Sequence, residues 1–283
     1  MRLNICVVFV LASIVCVAKA TSLRQSKANA GLDVPWAMRV VYGNFDAEKE
    51  LSTVSLPREK SGFPAPGNEQ MIARPFFHAL GTDSGMRVFV LLTYAVPTDE
   101  RSFDCHACAP TIGMAVFSRV GPRWALKDCT RAITISGEWG KPPTAQLERI
   151  GPNRLAVSIM DVGEGQGETT NILQLLIPWH GAVDLGLERV IADDDKGDCG
   201  PGGGLPCYAN RRTVSFVSND RSDYYGLRLR LRGTDLPVSG LAHARKVSGL
   251  ETLKFEDGRY VQISRLGDLT TVDHAVAKRE GLR

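Results

Sequence analysis

The chain has 283 residues, with 34 Lys and Arg against 31 Asp and Glu, and 43% of its residues are apolar. That apolar share supports a packed core, in one large domain or two small ones, and excludes an intrinsically disordered chain. A formal net charge of only +3 gives no overall electrostatic case for nucleic acid, which calls for a clustered basic face.

The first twenty residues have the layout of a cleaved secretory signal. Arg2 supplies the positive start, and Ile5–Val17 form an apolar run shorter than the roughly 20 residues a bilayer needs. Ala18-Lys19-Ala20 then place small residues at −3 and −1 of a cleavage site, so the mature chain is expected to begin at Thr21. Cleavage removes Arg2 and Lys19 and leaves 32 cations against 31 acids, a net charge of +1. No later apolar run reaches membrane-spanning length. The expected product is soluble, and periplasmic or secreted, with no transmembrane segment.

Residues 21–33 are polar and without period, a flexible lead-in. Strand-like text begins at Val34–Phe45. Residues 46–70 carry Pro57, Pro64, Pro66, Gly62 and Gly67 and read as an excursion, with room for one short helix at 46–52. From Ile72 onward strand-length runs alternate with turn residues, at 86–96, 111–120, 123–136, 144–160, 170–177, 183–192, 212–218, 224–232, 250–255 and 259–264. No alternation of strands with helices is visible. Only residues 271–283 have a helical tail, with apolar spacing over 271–280. The expectation is an all-β domain over residues 34–270, an antiparallel hairpin meander. Phe117–Leu126 echoes Leu147–Val157, and Leu253–Val261 has the same hairpin outline. Such repetition suits a propeller-like arrangement, with a β-sandwich as the alternative.

Without the signal the cysteines are Cys105, Cys108, Cys129, Cys199 and Cys207. An oxidising compartment makes disulfides the default. Cys199 and Cys207 flank Gly-Pro-Gly-Gly-Gly-Leu-Pro, a loop free to turn, and are expected to pair. Of the other three, either Cys105 and Cys108 close on each other or one of them joins Cys129. Asp104-Cys105-His106-Ala107-Cys108-Ala109-Pro110 also admits other chemistry. Cys105, His106 and Cys108 could ligate zinc or copper, with Cys129 or His78 as a fourth ligand. Thiol redox work would need a helix N-terminus at the first cysteine, and Pro110 with the strand-like run after it argues against one.

Asp193-Asp194-Asp195-Lys196-Gly197-Asp198 resembles a calcium loop but lacks the EF-hand order, so a solvated acidic turn is expected, with a calcium site as the alternative. Gly163–Gly167 reads as a hairpin tip, since no helix follows it to cradle phosphate. There is no Gly-x-Ser-x-Gly and no His-Glu-x-x-His; an enzymatic alternative would need a dispersed carboxylate pair acting on glycans. Aromatic residues near turns are the candidate binding groups: Trp139, Trp179 and the adjacent Tyr224 and Tyr225, one tyrosine expected in the core and one outside.

The Asp104–Pro110 segment, Ile112-Gly113, Phe117 and the Phe255-x-Asp257-Gly258-x-Tyr260 hairpin resemble a pattern in uncharacterised secreted proteins of Gram-negative bacteria. A looser similarity is to propeller-like periplasmic proteins that inhibit lysozyme-type cell-wall hydrolases. That similarity implies a Ser-Gly then Tyr motif offered to the enzyme, with Ser248-Gly249 and Tyr260 as its counterparts. Together these readings point to a non-catalytic binding protein whose partner is a protein or a cell-envelope component. Inhibition of a secreted hydrolase is its most concrete version.

Overall fold

A computed structural model of the chain describes residues 32–60, 63–99, 105, 108–165, 167–195, 199, 206–218, 222–236, 243–270 and 272–273. The expected signal and nearly all of the lead-in lie outside the described residues.

The described chain opens with a helix where a strand was expected: α1, Val34–Tyr42. Its apolar residues are spaced for a helix, since Ala37, Met38, Val41 and Tyr42 share the buried face. Asp33 caps it by accepting a hydrogen bond from the Trp36 amide at 2.7 Å, and Pro35 sits in the first turn, where its missing N–H is not needed. Gly43 ends it in the left-handed region (φ 79°), donating its N–H to the Arg39 carbonyl.

The supposed excursion is a hairpin. β1 (Ser52–Lys60) pairs antiparallel with the long β2 (Phe63–Asp83), and a turn, not a helix, fills residues 47–50. Pro57 survives because β1 is the sheet edge and a register shift falls between Pro57 and Glu59, and Pro64 and Pro66 lie on the part of β2 that precedes its pairing with β3 at Met71. β3 (Met86–Pro97), β4 (Thr111–Val120) and β5 (Arg123–Ile135) complete a five-stranded sheet in chain order.

Eight further strands form the second sheet, also in chain order: β6 (Thr144–Gly151), β7 (Arg154–Gly165), β8 (Glu168–Trp179), β9 (Ala182–Asp195), β10 (Tyr208–Val217), β11 (Gly226–Asp235), β12 (Arg245–Glu256) and β13 (Arg259–Gly267). The all-β antiparallel meander is therefore as the sequence indicates, and Gly163–Gly167 does form a hairpin tip. The strands gather into two sheets, the larger curled into a half-barrel, and not into a ring of four-stranded blades.

Three apolar layers follow from this. One face of the five-stranded sheet, with Leu56, Met71, Leu91 and Phe117, packs under α1. Its other face, with Val90, Leu92, Ile112 and Met114, meets Val157, Ile159 and Leu176 of the second sheet. The third layer fills the hollow of the curled sheet, where Leu173, Leu175 and Ile177 face Leu227, Leu229 and Leu253.

Beyond that apolar hollow the concave side is polar. Arg189 on β9 pairs with Glu251 on β12, and the buried Arg212 pairs with Asp273, which Arg265 also holds. Thr270 and Asp273 exchange side-chain-to-backbone hydrogen bonds at the start of a helical turn. The rest of the expected helical tail lies outside the described residues.

Candidate functional site

In a meander, successive turns fall alternately at opposite ends of the strands. One end carries tight turns, apart from the longer β10–β11 connection at 218–225. Ser84-Gly85, His180-Gly181 and Asp257-Gly258 each put two consecutive residues at positive φ, the mirror-image turn that matches strand twist. Gly121-Pro122 and Pro152-Asn153 are equally short. The opposite end carries the long connections: 98–110, 136–143, 196–207 and 236–244. Two disulfides are there. Cys105 and Cys108 bond to each other (S–S 1.99 Å), as do Cys199 and Cys207 (2.01 Å). Cys129 is buried on β5 in the layer under α1 and is itself disulfide-bonded, outside these two pairs.

Three of the candidate binding aromatics meet at the tight-turn end, and they meet inside it. Tyr224 stacks on Phe255 with ring centroids 3.7 Å apart; Trp179 lies 5.3 Å from Phe255, and Tyr260 lies 5.6 Å from it. Arg154 covers the Tyr224 ring at 5.1 Å, and His180 stands edge-on to Trp179. Tyr224 and Tyr260 are buried, and burial pushes both hydroxyls up from their ordinary pKa. Tyr260 donates to the Tyr225 carbonyl at 3.2 Å, while Tyr225 itself is half-buried. These rings close the base of the core and are not offered to a ligand, a correction for Tyr224 and Tyr260.

Ser248 and Gly249 do not sit on a loop. They are mid-strand in β12, with Ser248 outward, whereas Tyr260 on β13 points into the core. Tyr260 pairs with Phe255, which lies an odd number of residues from Ser248 along β12, so the two side chains stand on opposite faces and form no common motif. Ser248 instead lines an open recess of about 470 Å³ with Ala209, Gly233, Thr234, Lys246 and Val247.

Trp139 is different. It is 47% exposed at the loop-bearing end, in a tight turn bridged by Glu138 and Lys141. Trp139 (φ 52°) and Gly140 (φ 67°) both occupy the left-handed region. The surrounding backbone is fixed from three sides: Gly140 N–H donates to the Cys108 carbonyl (2.8 Å), Ser136 N–H to the Pro110 carbonyl (3.1 Å), and Gly137 N–H to the Asp161 carboxylate (2.8 Å). Gly137 is required, because a Cβ there would stand 2.0 Å from the Lys141 carbonyl oxygen. The Cys105–Cys108 staple and the Trp139 turn thus form one unit.

The remaining chemical candidates resolve as follows. The Cys105 and Cys108 sulfurs are bonded to each other, which occupies them as ligands, and His106 lies outside the described residues. After Cys108 the chain enters β4 through Ala109 and Pro110, with no helix N-terminus to stabilise a thiolate.

The acidic triplet is not a solvated turn. Asp193 and Asp195 end β9 with their side chains buried, because that strand turns them into the hollow of the curled sheet. Thr170 donates to Asp193 at 3.0 Å, and burial raises the Asp193 carboxyl above its usual range. The same burial, with Asp193 and Glu168 nearby, raises the Tyr208 hydroxyl. Among the described residues no three His, Cys, Asp or Glu side chains are placed to hold one metal ion.

The acid pair with the strongest structural role is Asp83 and Asp128, bridged by Lys127 at 2.7 and 3.7 Å. Asp83 accepts from the Leu155 amide and Asp128 from the Gly181 amide, so both tie one sheet to the other. Burial raises the Asp128 carboxyl.

Sequence reasoning passed over one group. Gly226-Leu-Arg-Leu-Arg-Leu-Arg-Gly233 alternates without a break, leucines inward and Arg228, Arg230 and Arg232 outward. The alternation was visible in the letters; a nearly neutral total charge concealed it. Neither a protein-family model, nor a curated protein, nor a solved structure matches this chain.

Proposed function

We propose that the protein is an exported, non-catalytic binding protein, periplasmic or secreted, that recognises a protein or cell-envelope component through its loop-bearing end. The observation that carries this reading is Trp139, a 47% exposed residue with left-handed backbone in a turn pinned by two backbone–backbone hydrogen bonds and one to the Asp161 carboxylate. Glycine or asparagine would fit that backbone with less strain. A tryptophan kept there brings apolar area and a prefixed geometry, the two properties of a binding anchor. The disulfides at the same end support an oxidising destination.

The concrete version is inhibition of a secreted cell-wall hydrolase, with Trp139 seated in the enzyme's cleft. Turnover of peptidoglycan by lysozyme-type muramidases tests it. The chain is expected to slow turnover in proportion to its concentration, Trp139→Gly to abolish that effect, and Trp179→Phe to retain it. Unchanged turnover with the native chain, or equal inhibition by Trp139→Gly, overturns the reading.

A further inference from the structure

The curled sheet has two faces. Its convex side is covered by the five-stranded sheet over β7–β9, while over β10–β12 it is open to solvent. Strand alternation and register decide what stands on that open face. Arg228, Arg230 and Arg232 of β11 point outward at spacings of roughly 7 Å. Arg211 lies directly opposite Arg232, and Thr213 and Ser215 lie opposite Arg230 and Arg228. On the other side Ser248, Leu250 and Thr252 face the same arginines, and Lys246 extends the patch.

Arg211, Arg228, Arg230, Arg232 and Lys246 are all exposed, and among the described residues none pairs with a carboxylate. The acids on this side stand at its margins: Asp194 beside Ala209, and Glu256, which Lys254 holds.

Such a face is self-repelling. Arg211 and Arg232 are directly opposed like charges, an arrangement that destabilises a sheet. The arginines on the concave side behave differently: Arg189, Arg212 and Arg265 all have carboxylate partners. The convex cations therefore present charge that no described carboxylate offsets, a surface open to an external anion. The shape narrows the choice. The cations spread in two dimensions over three strands of an open convex face, and the recess beside Lys246 and Ser248 lies at one end of the patch, so it does not run along the arginine row. Beside them on the edge strand, Leu266 (67% exposed) stands opposite Leu250 on the same face, with exposed Ile263 nearby. Cations and hydroxyls over an area, with apolar side chains at the rim, match a layer of phosphate headgroups over acyl chains. Arginine forks suit phosphate oxygens in particular.

We propose that the convex face of β10–β12 docks the protein on an anionic phospholipid surface, with Leu266 entering the headgroup boundary. This goes beyond the loop-end reading and does not rest on it. The test is co-sedimentation of the full chain with vesicles of phosphatidylcholine alone or of phosphatidylcholine with one third phosphatidylglycerol, at physiological salt. Binding is expected to the anionic vesicles only, and to be lost in molar salt. Arg228→Ser/Arg230→Ser/Arg232→Ser is expected to weaken it roughly a hundredfold, since each cation near the surface acts about additively. Leu266→Ser is expected to weaken it severalfold.

Arg119→Ser/Arg123→Ser/Arg149→Ser removes the same charge from the tight-turn end and is expected to bind as the native chain does. Residues 5–17 are common to every arm, so their insertion would appear as binding to the neutral vesicles. Equal binding to both vesicles, or equal loss with the two triple variants, overturns the proposal. So does charge-dependent capture of soluble dextran sulfate with no vesicle binding, which would assign the face to a polymer. Circular dichroism and a melt of each variant confirm folding; should the β11 triple not fold, Arg211→Ser and Lys246→Ser carry the same test.

Discussion

The two ends of the meander are built on the same backbone device and put it to opposite uses. At the tight-turn end His180-Gly181 closes β8–β9 with both residues at positive φ, and the His180 ring lies 4.5 Å from Trp179. Aromatic rings there turn inward and seal the core. At the loop-bearing end Trp139-Gly140 also has two consecutive positive φ values, but Trp139 is 47% exposed and its turn is tied to a disulfide loop. The backbone economy is equal, and the side chain at the first turn position makes the difference. Aromatic packing is therefore concentrated at one end, and the disulfide-stapled loops at the other.

The comparison breaks or sharpens under substitution. The largest expected effect is at the tight-turn end, where Phe255 touches Trp179, Tyr224 and Tyr260. Phe255→Ala is expected to destabilise the fold by about 3 kcal/mol in urea melts, with no change in partner binding by the surviving folded fraction. Next is the Cys199–Cys207 staple at the opposite end. Cys199→Ser/Cys207→Ser is expected to lose about 2–3 kcal/mol, because an eight-residue separation closes a short loop in the unfolded chain. Equal losses at both ends from exposed turn residues would erase the distinction.

A smaller effect of opposite sign is expected at Asp193. Its folded-state pKa is raised by burial, so its contribution is favourable only at low pH and is lost as pH rises through that raised value. Burial disfavours the charged form of this carboxyl, and an amide in its place carries no charge to bury. Asp193→Asn is expected to stabilise the fold by about 1 kcal/mol at pH 7, and the gain should shrink as pH falls toward 4. Thermal melts across that range check both the sign and the slope. The smallest stability effect is at Trp139 itself. Trp139→Gly is expected to leave the melt unchanged or raise it by up to about 1 kcal/mol, by relieving the left-handed conformation.

How much of this was legible in the letters depended on the range of the interaction. Alternation and turn residues marked β3, β4 and the later strands, because their pattern is local. The Cys199–Cys207 pair was legible for the same reason. The α1 segment was misread because its valines suit a strand, although Asp33, Pro35 and Gly43 spelled out both helix ends. The β1–β2 hairpin was hidden by prolines that are tolerated at a sheet edge and where β2 pairs on one side only. Division into two sheets, burial of Asp193 and the gathering of Trp179, Tyr224 and Tyr260 all depend on pairing between distant residues. Net charge misled most: it averages the paired arginines of the concave side with the unpaired ones of the convex side.

The most direct test of the account is amide hydrogen exchange on the chain with and without a bound muramidase. Added protection is expected at residues 108–110 and 136–141, with exchange at 179–184 and 255–260 unchanged. Protection confined to the tight-turn segments, with none around Trp139, would contradict it.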